Sequence, residues 1–317
     1  MNRLKRKVVD HGVKYLFILG DLTHDKDRHS SELVNRISDT LFSLAQKIPI
    51  FILKGNHDYI DPENPFMRFL DKMEGISFVS SPLILEIEGK DLLFLPHTRD
   101  PITEWKDLDY TGIHSIFIHQ SVDGAVASNG MKLEGFPRHF FRDLGFKGRV
   151  FSGDIHVPQT VGGITYVGTP YAVHFGDVFN PRIMLLDVKK NKVKMIPSTG
   201  YPSKISITIK SLEHLKDCLG DLEAKEGDYI KVKYLLPRSD FPVWKEIKSE
   251  VLQELAYRKI KVKGIEIKEI KRREVQHKEE RRVKNPISSS TELSVLEKFS
   301  SKERLGRDLL KYGIDLL

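Results

Sequence analysis

The chain has 317 residues and a single cysteine, Cys218. One thiol excludes a disulfide-stapled scaffold and a cysteine-rich zinc module. Cys218 itself reads as a small buried hydrophobe. Long apolar runs are also missing: none approaches the roughly 18–20 residues that a membrane-spanning helix needs. The N-terminal Met-Asn-Arg-Leu-Lys-Arg-Lys is positive, but the next apolar stretch, Tyr15–Leu19, is too short for a signal-peptide core. Nor is there a strong excess of one charge. Lys and Arg total 51 against 44 Asp and Glu, a net of +7, which permits a nucleic-acid partner without demanding one. These absences lead to the expectation of a soluble protein in a reducing compartment.

What is present is enough apolar material, 40% of residues, to build a core. The length suggests one large domain and a smaller one. The first two-thirds alternates short runs rich in Ile, Val and Phe with amphipathic segments. Tyr15–Leu19, Ile50–Leu53, Ser115–Ile118 and Arg149–Phe151 read as buried strands. Between the first two, Leu33, Val34, Ile37, Leu41, Leu44 and Ala45 fall at helical spacing. Strand–helix–strand order implies an α/β layered fold. Leu83–Ile87 and Asp91–Leu95 flank Glu88-Gly89-Lys90 as a hairpin, and Thr165–Val167, Ile183–Asp187 and Lys192–Ile196 add strands. The pattern changes near Pro197–Pro202. After it, strands at Lys204–Lys210, Tyr229–Leu235 and Ile260–Ile270 alternate with helices at Ser211–Leu222 and Pro242–Arg258, a candidate small domain. Lys271–Lys284 is a basic block of net +4 that reads as a solvated linker. Asn285–Ser290 reads as a flexible break, and Thr291–Leu317 reads as one or two short helices that must dock to bury their apolar face.

Each of the four buried runs ends in a potential metal ligand. The endings are Gly20-Asp21-Leu-Thr-His24, Gly55-Asn56-His57-Asp58, His119-Gln120, and Gly153-Asp154-Ile155-His156. In open α/β sheets the loops beyond strand C-termini converge on one crevice. Asp, Asn and His supply the oxygen and nitrogen donors that suit manganese, iron or zinc, and the preceding glycines let the backbone turn sharply and come close to an ion. A Gly-Asp turn, a strand-end His or Asp-Ile-His alone is ordinary turn, cap or structural chemistry; Gly55-Asn-His-Asp58 is stronger, since a turn needs Asn or Asp and not all three polar types together, and the four motifs, each after an apolar run, point to one site.

This set of motifs resembles the calcineurin-like metallophosphoesterases. Tyr166-Val-Gly-Thr-Pro-Tyr171, Gly176–Arg182 and Phe136-Pro-Arg-His-Phe-Phe141 resemble the branch of SbcD-type DNA-repair nucleases and phage recombination endonuclease subunits. The resemblance implies a four-layer α/β/β/α sandwich over residues 1–200, a small α+β capping domain that contacts DNA over 201–271, a basic linker over 272–290 and a helical docking segment over 291–317. It implies two divalent ions, Mn2+ in the first instance with Mg2+ or another divalent ion possible, clamping a phosphodiester. Asp21 would bridge the ions, Asn56 and His119 would hold the second, and His156 the first. His57 would stabilise the scissile phosphate or protonate the leaving oxygen, oriented by Asp58, with His24 near the same phosphate. The implied partners are DNA, a coiled-coil ATPase of the SbcC type bound through the terminal helical segment, and a second copy in a homodimer. The implied compartment is the cytoplasm of a prokaryotic or phage-infected cell, with no membrane contact.

Two departures from the family pattern stand out. Asp154 takes a position that is usually His, which is expected to keep the second ion while shifting preference towards manganese or magnesium. The family's opening strand ending Asp-x-His has no counterpart, so the chain is expected to lack a first strand and two ligands of the first ion. Two other readings therefore stay open: a generic phosphodiesterase or phosphatase, and an inactive scaffold.

Overall fold

Along the strands of the first two-thirds, successive apolar side chains point alternately to two different cores. In the computed structural model of the chain, which describes residues 6, 10–175, 177 and 179–269, two sheets use this alternation. The first is parallel, in the order β1 (Leu16–Ile18), β2 (Ile50–Leu53), β3 (Ile76–Val79). The second contains β4 (Leu83–Ile87), β5 (Lys90–Leu95), β6 (Ile113–Ile118), β7 (Arg149–Ser152), β8 (Gln159–Val161) and β9 (Ile164–Tyr166) in the order β4-β5-β6-β7-β9-β8. There β5, β6, β7 and β9 run parallel, and the edge strands β4 and β8 are antiparallel to their neighbours.

Phe17, Phe51, Leu53, Phe94, Phe117 and Phe151 share the core between the two sheets, joined by the hairpin of β10 (Arg182–Asp187) and β11 (Lys192–Pro197). The intervening residues of the same strands point outward. Ile50 and Ile52 meet Leu41 and Leu44 of helix α1 (Ser31–Ala45) and Met67 and Leu70 of a 3-10 helix, Phe66–Lys72. Leu93, Leu95, Ile116, Ile118 and Val150 meet Trp105 of α2 (Pro101–Trp105) and Phe140 and Phe141 of α3 (Phe140–Asp143). The result is helix, sheet, sheet, helix: the expected four-layer α/β/β/α arrangement. Helix α1 starts where Ser30 accepts the Leu33 N–H, the standard way to satisfy an orphan first-turn donor. Among the described residues β1 pairs only with β2.

Parallel strands place their C-terminal ends on one side of a sheet. Here that side carries the residues after β1, β2, β6 and β7, which are the four ligand-bearing motifs.

The later segment forms a parallel sheet, β12 (Lys204–Ile209), β13 (Tyr229–Leu236), β14 (Lys261–Glu269), with α4 (Leu212–Asp221) and α5 (Trp244–Tyr257) between the strands. Its own core gathers Ile207, Ile230, Val232, Leu215, Leu219 and Leu255. The β-α-β-α-β order matches the expectation, with one difference. The segment expected to open a single helix at Pro242 is a 3-10 turn, Arg238–Val243, and the α-helix starts at Trp244. All of these elements lie in one compact unit that runs to Ile270. The basic linker and the terminal docking segment fall outside the described residues. Among the described residues no helix is long and apolar enough to cross a membrane.

Phe117 is 2% exposed and stacks on Phe94 at 4.8 Å, with Phe151 at 5.3 Å and Phe17 of the opposite sheet at 5.4 Å. Phe117→Ala is expected to lower unfolding free energy by about 3–5 kcal/mol. Chemical denaturation checks this; a loss below about 1 kcal/mol would show that this stack does not join the sheets.

Candidate metal centre

His119 comes directly after β6 and is almost fully buried, at 1% exposure. Its Nδ1 lies 2.5 Å from the Leu19 carbonyl oxygen, which can only accept, so Nδ1 carries the hydrogen. In the neutral ring Nε2 is then a bare lone pair. It faces three further acceptors: Asn56 Oδ1 at 3.1 Å, Asp21 Oδ1 at 3.3 Å and Asp154 Oδ1 at 3.8 Å. Four acceptors cannot face one another unless something positive sits among them, a proton or a cation. In the metal-free chain a proton does this. Burial alone would lower the His119 pKa, but the hydrogen bond to Asp21 and the charges of Asp21 and Asp154 outweigh it and push it up to about 9. Burial raises the Asp154 pKa, with the Asp21 charge adding to it, while His119 holds Asp21 down against its own burial. Asp21, His119 and Asp154 each offer one donor atom within 4.8 Å of the others. Two carboxylates, an amide oxygen and an imidazole nitrogen form a donor set that suits a hard or borderline divalent cation, and the Nδ1–carbonyl bond is the usual support of a ligating histidine.

The backbone is built around this convergence. Asp21 and Asp154 each come after a glycine at a strand end, and each has a left-handed backbone, φ 53° and φ 69°. Asp tolerates that region better than most residues. A Cβ on Gly20 would lie 2.1 Å from His119 Nδ1, one on Gly55 2.3 Å from Asp21 Oδ1, and one on Gly153 1.9 Å from the Leu19 oxygen. The three glycines therefore let the strand ends touch, as their positions before the ligands suggest.

The structure corrects the role of Asp58. Its expected task is to orient His57, but the His57 Nδ1 donates to the His24 carbonyl at 2.7 Å. Asp58 is fully buried and accepts three backbone N–H groups instead, from Asp21 at 2.9 Å, Leu22 at 3.1 Å and Gly55 at 2.7 Å. Asp21 and Leu22 lie 37 and 36 residues before it in the chain, so Asp58 ties the first ligand loop to the second. Burial pushes its pKa up, against the N–H bonds that favour the charged form. The His57 N–H completes the tie by donating to Asp21 Oδ1 at 2.9 Å.

His24 and His57 lie at the rim with rings stacked 4.8 Å apart. His156 is outside the three-residue cluster: its ring stacks on His174 at 5.1 Å, and burial lowers its pKa although Asp177, Asp21 and Asp154 oppose this. Asn56, His119, Asp21 and Asp154 are thus brought together, with His24, His57 and His156 around them.

One neighbour escapes the sequence reading. His97 lies just beyond β5, and its ring meets His119 edge-on at 6.1 Å. Its Nδ1 is 2.9 Å from the Tyr59 hydroxyl, and its N–H donates to the Lys54 oxygen at 2.8 Å. Leu92-Leu-Phe-Leu95 is a buried run ending near a histidine, the same signal as the other four, but the run also completes a hairpin and reads only as that.

A family profile described as "Calcineurin-like phosphoesterase" matches residues 1–196. The chain is 24% identical over 208 residues to "Exonuclease subunit 1" of Enterobacteria phage T4, covering 61% of this chain and 59% of that protein. It is 31% identical over 115 residues to the "DNA polymerase II small subunit" of Methanocaldococcus jannaschii, covering 31% of this chain and 19% of that protein. In both cases the chain spans less than two-thirds of the relative's length.

Two measurements test this architecture. Asp58→Ala leaves three buried donors without an acceptor and is expected to cost about 3 kcal/mol or more; denaturation of the metal-free protein reads this, and a cost under about 1 kcal/mol would remove Asp58 as the tie. His97 is held neutral by burial, with the His119 charge second, down to about 4 from an ordinary 6.5. The unfolded chain therefore takes up the proton first, so this contribution to stability is complete above pH 6.5 and is lost as the pH falls towards 4. In chelator, wild type is expected to lose stability over that window more steeply than His97→Gln; parallel curves would contradict it.

Proposed function

The chain belongs to the calcineurin-like phosphoesterase family, and we propose that within it the chain is a divalent-cation-dependent nuclease that hydrolyses phosphodiester bonds of DNA. The observation that carries the cation is the His119 Nε2, whose lone pair faces the oxygens of Asn56, Asp21 and Asp154. The DNA substrate is supported by the likeness to an exonuclease subunit and a DNA polymerase subunit. Asp21, Asn56, His119, Asp154 and His156 would hold the metal, and the two Asp carboxylates and one Asn oxygen favour manganese or magnesium. When bound, a divalent ion supplies Lewis-acid activation of a phosphodiester.

The protein's own groups define the rest. His57 donates from Nδ1 to the His24 carbonyl, so its Nε2 is the atom free to carry a second proton towards a leaving oxygen. The stacked His24 ring and the Asp21–His57 bond restrict where that nitrogen can sit. Asp58 does not touch the chemistry; it positions the Asp21 and Asn56 loops. The homodimer and the association of residues 291–317 with a coiled-coil ATPase belong to the same proposal.

With Mn2+, the wild type is expected to hydrolyse a small chromogenic phosphodiester and a DNA substrate. His57→Ala should reduce turnover by about 10²–10⁴-fold at unchanged metal content, whereas His119→Ala should lose the metal. Loss of metal in His57→Ala would make His57 a ligand. Failure of the metal-loaded wild type on both substrates would overturn the reading.

A further inference from the structure

His97 stands just beyond β5, beside the metal cluster and outside its donor set. Its ring meets His119 edge-on at 6.1 Å. Burial dominates its electrostatics, and the charges next in order are those of His119, Asp21, Lys54 and Lys26. The first two belong to the cluster, and Lys26 follows His24 on the loop at the rim. His97 is therefore within electrostatic reach of both the cluster and the rim.

The ring is anchored at one end only. Its Nδ1 is 2.9 Å from the Tyr59 hydroxyl, and its backbone N–H donates to the Lys54 oxygen at 2.8 Å. Tyr59 is buried, with the Lys54 Nζ 5.0 Å and the Arg99 guanidinium 5.8 Å from its ring centre. Lys54 donates to the Pro62 carbonyl and Arg99 to the Ile60 carbonyl. Tyr59 and the residues after it are thereby fastened to the chain that leaves β2 and β5. This anchor decides which nitrogen of His97 carries the hydrogen. A buried hydroxyl hydrogen needs an acceptor, and the neighbouring Lys54 and Arg99 side chains can only donate. The acceptor that the structure supplies is His97 Nδ1. The hydrogen of the neutral ring therefore sits on Nε2. That N–H has no hydrogen-bond acceptor among the described residues, and His97 is only part-buried.

We infer that His97 is a substrate-binding residue of the same centre, its Nε2–H donating to a phosphoryl oxygen of the ester held at the metal cluster, with Tyr59 as the positioning residue that sets the tautomer. This deepens the proposed phosphodiester hydrolysis and rests on it. A neutral donor suits this place. A second fixed cation beside the metal would repel it, and a carboxylate would repel the ester. An N–H held in place before the ester arrives meets the phosphoryl oxygen without either cost and without reorganisation. Burial keeps His97 neutral, so it gives a hydrogen bond and not a proton, which leaves proton transfer to His57.

Three measurements on the whole chain test this. With 15N-labelled histidine rings, the metal-free protein should show His97 in the Nε2–H form; an Nδ1–H form would overturn the inference. With Mn2+, His97→Leu should lower kcat/KM for the small chromogenic phosphodiester at least about tenfold. Calorimetric binding of inorganic phosphate should weaken by a similar factor, at unchanged metal content. His97→Gln restores an N–H donor near the Nε2 position and should stay within about threefold of wild type. Both variants lose the imidazole, so equal losses in the two, or loss of metal in His97→Leu, would mark a packing role and overturn the inference. Wild-type values in His97→Leu would do the same. Tyr59→Phe should cost about two- to fivefold alone and almost nothing when added to His97→Leu; additive losses would show that Tyr59 does not act through His97. Wild-type turnover is scored separately. An inert wild type overturns the proposed hydrolysis, and phosphate binding then still scores His97; an active wild type with unchanged His97→Leu overturns this inference alone.

Discussion

The structure depends on an electrostatic demand: one imidazole nitrogen and three oxygens, from four separate loops, must share a space that only a positive charge can make favourable. Two carboxylates about 5 Å apart repel by roughly 3 kcal/mol at an effective dielectric near 20. Burial adds to that cost, since charges out of water are expensive unless paired. The chain nevertheless drives these groups together. Three glycines remove the side-chain bulk that would keep the strand ends apart, and Asp58 commits a buried carboxylate to holding two loops by their N–H groups. Without a cation, a proton on His119 offsets one of the two carboxylate charges. A site whose groups must be held together against their own repulsion in this way is built for an occupant of higher charge than a proton.

The sandwich provides the rigidity this requires. Because side chains alternate, each strand belongs to two cores at once: Phe51 and Leu53 of β2 to the inner layer, Ile50 and Ile52 to the layer under α1. Displacing a strand end would disturb both. The aromatic column of Phe17, Phe94, Phe117 and Phe151 crosses from one sheet to the other directly behind the ligand loops, so β1, which carries Asp21, is packed against the strands that carry His119 and Asp154.

Much of this is legible in the residues, and the remainder is hidden for physical reasons. The strands, the four layers and the ligand-bearing ends come from local patterns: short apolar runs, helical spacing between them, and glycine next to Asp, Asn or His. Asp58 misleads because its role is decided by loop closure. Sequence adjacency to His57 suggests a side-chain pair, yet three N–H groups in the closed structure outweigh one imidazole. His97 is hidden because its strand also makes a hairpin with β4, and a hairpin is a sufficient reason for an apolar run whether or not a ligand stands at its end. β3 and β8 leave little trace because polar residues interrupt them, Ser77 in β3 and Gln159 and Thr160 in β8, and neither supplies a ligand. The registry of the last sheet, with its bulge at Lys263, depends on pairing between strands well separated in the chain and leaves no mark in any one of them.

The two sheet systems meet the same demand in opposite ways. In the sandwich both faces of each sheet are buried, and polar chemistry is confined to the strand ends, where a few groups act at short range. The smaller sheet buries one face and leaves the other wet, which is where lysines can stand on strands without desolvation cost. The segment from Val173 to Asp177 touches both, through His174 on His156 and through Lys204 on Val173. His174 thereby ties the position of His156 to the smaller sheet.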